Sequence, residues 1–172
     1  FIGYGLNPPK VEWPNGERVA VSVVLNYEEG SEHSVLDGDP ESEPPSPVKP
    51  GQRDLYNESY YEYGSRAGVW RVLDIFDEYE INATIFGCAL ALERNPLVGP
   101  EVIRRGHEVV GHGYRWEEYH GMDRDTERES ILKAVESITR TTGQRPLGWY
   151  NRSTPTLNTR EILAEEGGFL YD

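Results

Sequence analysis

The sequence predicts an α/β fold, a parallel sheet or a (β/α) barrel, and three observations carry that expectation. Short apolar runs rich in β-branched residues fall at residues 18–26, 83–87 and 107–111, with a shorter one at 146–150. Between them lie stretches whose apolar residues recur at helical spacing: Val69, Val72, Leu73 and Phe76 in one, Ile131, Leu132, Val135 and Ile138 in another. Strands alternating with helices of this length pair in parallel through right-handed crossovers. A closed barrel takes about 200 to 250 residues, and a fifth run, Phe169-Leu170-Tyr171, begins as the sequence ends. Residues 1–172 are therefore read as the N-terminal part of one catalytic domain.

In the first run Val19, Val21, Val23 and Leu25 alternate with Ala20, Ser22 and Val24, the near-continuous apolar pattern of a strand buried on both faces. From about residue 31 to 63, Pro40, Pro44, Pro45, Pro47 and Pro50 stand among acidic residues and oppose any regular helix or central strand. This segment is expected to be a loop insertion that covers a site. Residues 68–79 read as a helix and residues 83–87 as the second strand. A helical stretch broken at Asn95-Pro96 leads to Arg105 and to the third strand, residues 107–111. In the next helix Asp125-Thr126 with Glu129 resembles a capping box, and Gly143 stands where a C-cap belongs. A short strand at 146–150 and a helix at 159–166 follow.

Composition narrows the function. A formal charge of −13 and an isoelectric point near 4.7 repel nucleic acid and anionic membranes, and no apolar run is long enough to span a bilayer. A small neutral or polar molecule is the partner that remains. Cys88 lies among Phe86, Ala89 and Leu90 and reads as a buried, inert thiol. With a single cysteine and no signal-peptide pattern in Phe1-Ile2-Gly3-Tyr4-Gly5, the expected location is the cytoplasm.

Chemistry is expected at the C-terminal strand ends, where the loops of α/β sheets and barrels build active sites. The first strand runs through Val23-Val24-Leu25-Asn26-Tyr27 into Glu28-Glu29-Gly30, so two adjacent carboxylates meet a glycine turn. Successive strand residues face opposite ways, and only the turn at Gly30 could swing both inward. The third strand ends in Gly111-His112-Gly113-Tyr114-Arg115-Trp116, the fourth in Trp149-Tyr150-Asn151-Arg152-Ser153-Thr154-Pro155, and Tyr63-Gly64-Ser65-Arg66 precedes the first helix. A histidine opposite strand-end carboxylates can move protons. His107, at the far end of the same strand, reads as structural, while His33 and His120 sit in loops without ligand spacing.

The order Leu25-Asn26-Tyr27-Glu28-Glu29-Gly30, Ala83-Thr84-Ile85-Phe86, Gly106-His107-Glu108-Val109-Val110-Gly111-His112 and Gly143-Gln144-Arg145-Pro146 is similar to the polysaccharide deacetylase superfamily, of the carbohydrate esterase family 4 type. That resemblance covers nearly the whole chain and implies the distorted (β/α) barrel of the superfamily. By position it also implies that Glu28 stands for the general base, Glu29 for a carboxylate metal ligand and His112 for the first of two histidine ligands four residues apart. Trp116 stands where the second histidine belongs, and an indole N–H only donates. Both family aspartates are lengthened to glutamates, and an Arg-Pro-Pro-like run is replaced by Trp149-Tyr150-Asn151-Arg152. Catalytic zinc sites usually keep three protein ligands, so no metal or other cofactor is expected.

Phe1-Ile2-Gly3-Tyr4-Gly5, residues 61–71, His112-Gly113-Tyr114-Arg115-Trp116 and Glu165-Glu166-Gly167-Gly168-Phe169-Leu170-Tyr171-Asp172 resemble the metal-independent allantoinase branch of the superfamily. The resemblance implies a hydrolase of non-peptide C–N bonds that opens the hydantoin ring of allantoin to allantoate. In that reading Glu28 or Glu29 activates water and His112 passes the proton to the leaving nitrogen. Arg66, Arg115 or Arg152 holds the ureide oxygens, and Trp116, Tyr114, Tyr150 and Trp149 wall a planar ring. One alternative is a deacetylase of N-acetylglucosamine polymers using zinc or another divalent metal; the other is a non-catalytic binding relic. The expected partner is a small ureide rather than nucleic acid or membrane, and a homo-oligomer is left open.

Overall fold

The computed structural model describes residues 2–43 and 47–172. At its centre β1 (Val24–Tyr27), β2 (Thr84–Gly87) and β3 (Glu108–Gly111) form a parallel sheet in that spatial order. Parallel neighbours need a crossover. Helices α1 (Leu55–Tyr63) and α2 (Val69–Glu78) supply the first, and α3 (Ala89–Arg94) and α4 (Val98–Arg104) the second. Helices α5 (Arg124–Thr142) and α6 (Thr159–Glu166) follow β3. The α/β alternation expected from the sequence is the architecture observed.

Period two sorts the strand residues onto two faces. Tyr27, Ile85 and Val109 face the helices and join Leu73, Phe76, Leu92, Val98, Val102, Ile131 and Ile138 in one core. Each such side chain removed from water contributes about 1.5–3 kcal/mol. The opposite face carries Asn26, Phe86 and Val110 in register. One step further, Cys88 N–H donates to the Tyr27 carbonyl and His112 N–H to that of Gly87, so Glu28 and His112 extend the same face.

Three loop and strand boundaries differ from expectation. The first strand is Val24–Tyr27 rather than residues 18–26, and Val19 and Val21 are 71% and 81% exposed. β1 is an edge strand, and no described residue pairs with residues 18–22. Apolar character alone does not make a strand where no neighbour supplies hydrogen bonds. The insertion also ends before residue 63. The prolines stop at Pro50, and the Asp54 carboxylate then accepts the N–H groups of Tyr56 and Asn57 and starts α1. A 3-10 turn at Val35–Asp37 lies within the loop, while Pro44 and Pro45 fall outside the described residues. Finally, residues 146–150 and 169–171 contribute only single parallel bridges, Gly111 to Trp149 and Gly148 to Tyr171. Pro146 has no N–H for a ladder.

Helix α5 begins one turn position earlier than its sequence signal. Asp123, not the Asp125-Thr126 pair, is the cap: its carboxylate accepts from Asp125 and Thr126 N–H at 3.1 and 3.0 Å. Gly143, at φ 77°, closes the helix as expected. No helix among the described residues is long and apolar enough to cross a membrane.

His107 is buried at the other end of β3, edge-on to Phe76 at 5.5 Å. Its Nδ1 accepts the Ala83 N–H at 3.2 Å, which protonation would forbid. Burial lowers its pKa against the pull of Asp77, and Arg105 lowers it further. The unfolded chain therefore binds the proton more readily, so stability held above about pH 6.5 is lost as pH falls toward the folded value. The urea midpoint of the full-length protein is expected to fall between pH 7 and 5, and to fall less in His107→Gln. Equal losses in both proteins would remove His107 as the cause.

Candidate active site

At the C-terminal edge of the sheet the chain leaves β1 through a tight turn. Ser31 N–H donates to the Glu28 carbonyl at 2.8 Å, and Gly30 takes φ 99°, a conformation glycine adopts without strain. Glu28, on the face of Asn26, has its Oε1 2.8 Å from Asn26 Nδ2 and 2.9 Å from His112 Nε2. The other ring nitrogen of His112, Nδ1, lies 2.6 Å from the Tyr150 carbonyl oxygen.

These contacts define the proton inventory. A carbonyl oxygen only accepts, so Nδ1 carries a hydrogen, and a neutral ring then has a bare lone pair at Nε2. Two lone pairs do not hold each other at hydrogen-bond distance. The Glu28 contact therefore requires one further proton, shared between carboxylate and imidazole. His112 is almost fully buried, while Glu28 is partly exposed and gives the shared proton a path to solvent. The Tyr150 ring stacks on Phe86 at 4.6 Å and on His112 at 5.5 Å, and remains half exposed.

The acidic loop is tied down around this pair by three arginines from different segments. Arg94 grips Asp37 at 2.6 and 3.0 Å and the Gly30 carbonyl. Arg115 grips Asp39 at 2.6 and 3.1 Å and the Glu32 carbonyl, and holds the Asp39 carboxyl down at about 2. Arg152 meets Glu43 at 2.9 Å and the Trp116 carbonyl at 2.8 Å, with its guanidinium 3.9 Å above the Trp116 ring. Two-pronged guanidinium–carboxylate pairs fix orientation as well as distance.

Of the residues singled out from the sequence, Glu28, His112 and Tyr150 come together, with Trp116 and Arg152 stacked at the rim. Glu29 points the other way. Its carboxylate accepts the Glu28 N–H at 3.1 Å, and burial raises its pKa. The Tyr114 hydroxyl donates to Glu93 at 3.2 Å beneath Lys133, while Arg66 is exposed beside Glu62. Trp149 is a core residue, 2% exposed. Cys88 is fully buried, its Sγ 3.2 Å from the His112 carbonyl oxygen, and burial drives its thiol pKa well up. Sequence reasoning passed over Asn26 and Phe86. The signal was present, since Asn26 stands two residues before Glu28 and so shares its face. The Tyr150 carbonyl left none, being backbone.

The residues present do not fit the divalent metal that the deacetylase resemblance implies. The Trp116 indole has no lone pair to offer and lies under the Arg152 guanidinium. Glu29 belongs to the helix side, away from His112. Among the described residues no three His, Cys, Asp or Glu side chains converge.

Comparison with known proteins agrees with this fold. The family model described as polysaccharide deacetylase matches residues 58–164. A curated Schizosaccharomyces pombe protein named "Putative polysaccharide deacetylase" is 37% identical over 163 residues, 89% of this chain and 50% of its own. A crystal structure described as "Puue Allantoinase" is 50% identical with a TM-score of 0.90, over 99% of this chain and 58% of that one. A second, described as "probable Polysaccharide deacetylase from Pseudomonas aeruginosa PAO1", is 51% identical with a TM-score of 0.90, over 99% and 59%. The chain spans about half the length of the curated relatives it matches. With its parallel sheet, its strand-end Glu28–His112 pair and these matches, the chain belongs to the polysaccharide deacetylase family.

Proposed function

We propose that the full-length protein hydrolyses a non-peptide C–N bond, opening the hydantoin ring of allantoin to allantoate without a resident metal. The observation that carries this reading is the Glu28–His112 contact at 2.9 Å beside a Trp116–Arg152 stack, where a metal-dependent site needs a second imidazole. The name of the 50%-identical structure, an allantoinase, supports it.

Opening a cyclic amide needs a base for water, charge stabilisation for the tetrahedral oxyanion and a proton for the leaving nitrogen. In this reading the pair first releases its shared proton to solvent past the partly exposed Glu28 and then works from its proton-poor form. It takes one proton from water as the oxygen attacks the ring carbonyl. Imidazolium then forms next to the Glu28 carboxylate, and His112 Nε2 returns the same proton to the departing ring nitrogen. The sum is one water added across the C–N bond. The Tyr150 carbonyl keeps the hydrogen on Nδ1, so Nε2 is always the working nitrogen. Arg152, beside Trp116, supplies positive charge to the oxyanion; removing one preorganised donor of that kind costs about 2.7–4 kcal/mol. Tyr150 and Trp116 offer flat walls for a planar ring. Arg115, through Asp39 and the Glu32 carbonyl, would hold the acidic loop beside the site.

The second reading, metal-dependent removal of N-acetyl groups from N-acetylglucosamine polymers, is favoured by the name of the 51%-identical structure. One experiment separates them. The full-length protein, stripped exhaustively with a chelator, is assayed on allantoin and on chito-oligosaccharides. Undiminished ring opening is the expected result, and deacetylation that appears only when zinc is restored would overturn the proposal.

A further inference from the structure

We propose that Glu29 is a positioning residue: it aims Glu28 by gripping the backbone of the turn, and it does not itself touch substrate. This rests on the reading above, in which Glu28 carries the proton.

The geometry has three parts. Alternation along the strand sends the Glu28 side chain to the face of Asn26 and His112 and leaves Glu29 on the helix side. The Glu29 carboxylate then folds back and accepts the Glu28 N–H at 3.1 Å. Glu28 is the first residue of the turn that the Ser31 N–H closes onto the Glu28 carbonyl. Glu28 is thus held through both its N–H and its carbonyl, which fixes where its Cα–Cβ bond points.

The third part is a socket. Helices α1 and α2 are joined by a π-helical turn, Gly64–Gly68, and the Glu29 carboxyl lies against Gly64. A Cβ at Gly64 would fall inside the Glu29 carboxyl group, so glycine is required at that place for this packing. π turns recur at functional sites, where they widen a helix locally. Here the wider turn, rather than any substrate, receives the glutamate head. Glutamate also has the reach for both contacts, whereas aspartate is one methylene shorter.

The test uses the full-length protein with Glu29→Gln and Glu29→Ala, followed by kcat and KM on allantoin and by the downfield imidazole N–H resonance of His112. A glutamine oxygen still accepts the Glu28 N–H, so Glu29→Gln is expected to keep near-normal kcat and an unmoved His112 signal. Glu29→Ala releases the turn and is expected to lower kcat about 10- to 100-fold with little change in KM, the scale of a small misplacement of a reacting group. Its His112 resonance should move or broaden. If Glu29→Ala does not fold, Glu29→Asp, which keeps the charge and shortens the reach, takes its place with the same expected loss. A Glu29→Gln protein as inactive as Glu28→Gln would overturn the proposal, because charge at Glu29 would then serve the chemistry. So would a Glu29→Ala protein with unchanged kcat and an unmoved resonance. If the unaltered protein opens no ureide, the functional reading fails, but the resonance needs no substrate and still decides the role of Glu29.

Discussion

Glu28→Gln is expected to slow ring opening by the full-length protein about 10²- to 10⁴-fold, the range that a general acid–base group supplies. The substitution is nearly isosteric. An amide oxygen in the Oε1 position still accepts from Asn26 Nδ2, 2.8 Å away, and from a protonated His112 Nε2, so the site should keep its shape. What disappears is the ability to accept a share of the proton. The loss should therefore appear in kcat with KM little changed, the mark of an interaction made only in the transition state. His112→Ala removes the same proton path from its other end. Combining the two should cost little more than either alone, because groups that act as a unit are not additive. Steady-state kinetics on allantoin check this; a Glu28→Gln protein turning over at the parental rate would exclude the proposed machinery.

Trp149→Ala is expected to destabilise the full-length protein by about 3–5 kcal/mol, as large-to-small core substitutions of aromatic residues do. The indole is 2% exposed, edge-on to Phe169 at 5.7 Å and inclined to Tyr119 at 6.5 Å. It fills the space over Gly111 so completely that no side chain fits there, and its Nε1–H is taken by Asn151. Truncation leaves a cavity and strands the Asn151 oxygen. The urea midpoint should fall with the slope of the transition unchanged. Activity should fall too, since Tyr150 is the next residue and its carbonyl orients His112. An unshifted midpoint would show that the neighbouring rings close over the gap.

Most of the fold was legible because the chain states it redundantly. β2 and β3 are apolar runs flanked on both sides by other strands or bridges, so apolar character and pairing coincide. α2 and α6 carry their spacing and boundaries openly. The misjudged places are those where a distant partner decides. β1 is short because its outer edge is unpaired among the described residues, which composition cannot reveal. Likewise, the strand-end address and the alternation of side chains were enough to put Glu28 and His112 on one face and to foresee that Glu29 need not join them. The tautomer of His112 depends on a backbone carbonyl, to which every residue type contributes equally. The arginine partners were illegible for a related reason: Asp37 and Arg94 are 57 positions apart, Asp39 and Arg115 76, and Glu43 and Arg152 109.

Those three pairs give the acidic loop a second meaning. Each acid meets an arginine rooted in a different part of the scaffold, so these three guanidinium charges are cancelled only while the loop lies flat. Lifting it would bare three guanidinium groups at once, around a proton-sharing pair, in a chain whose overall charge is −13. Loop position and local potential are thus one variable: raising the loop would shift the mouth of the cleft toward positive potential.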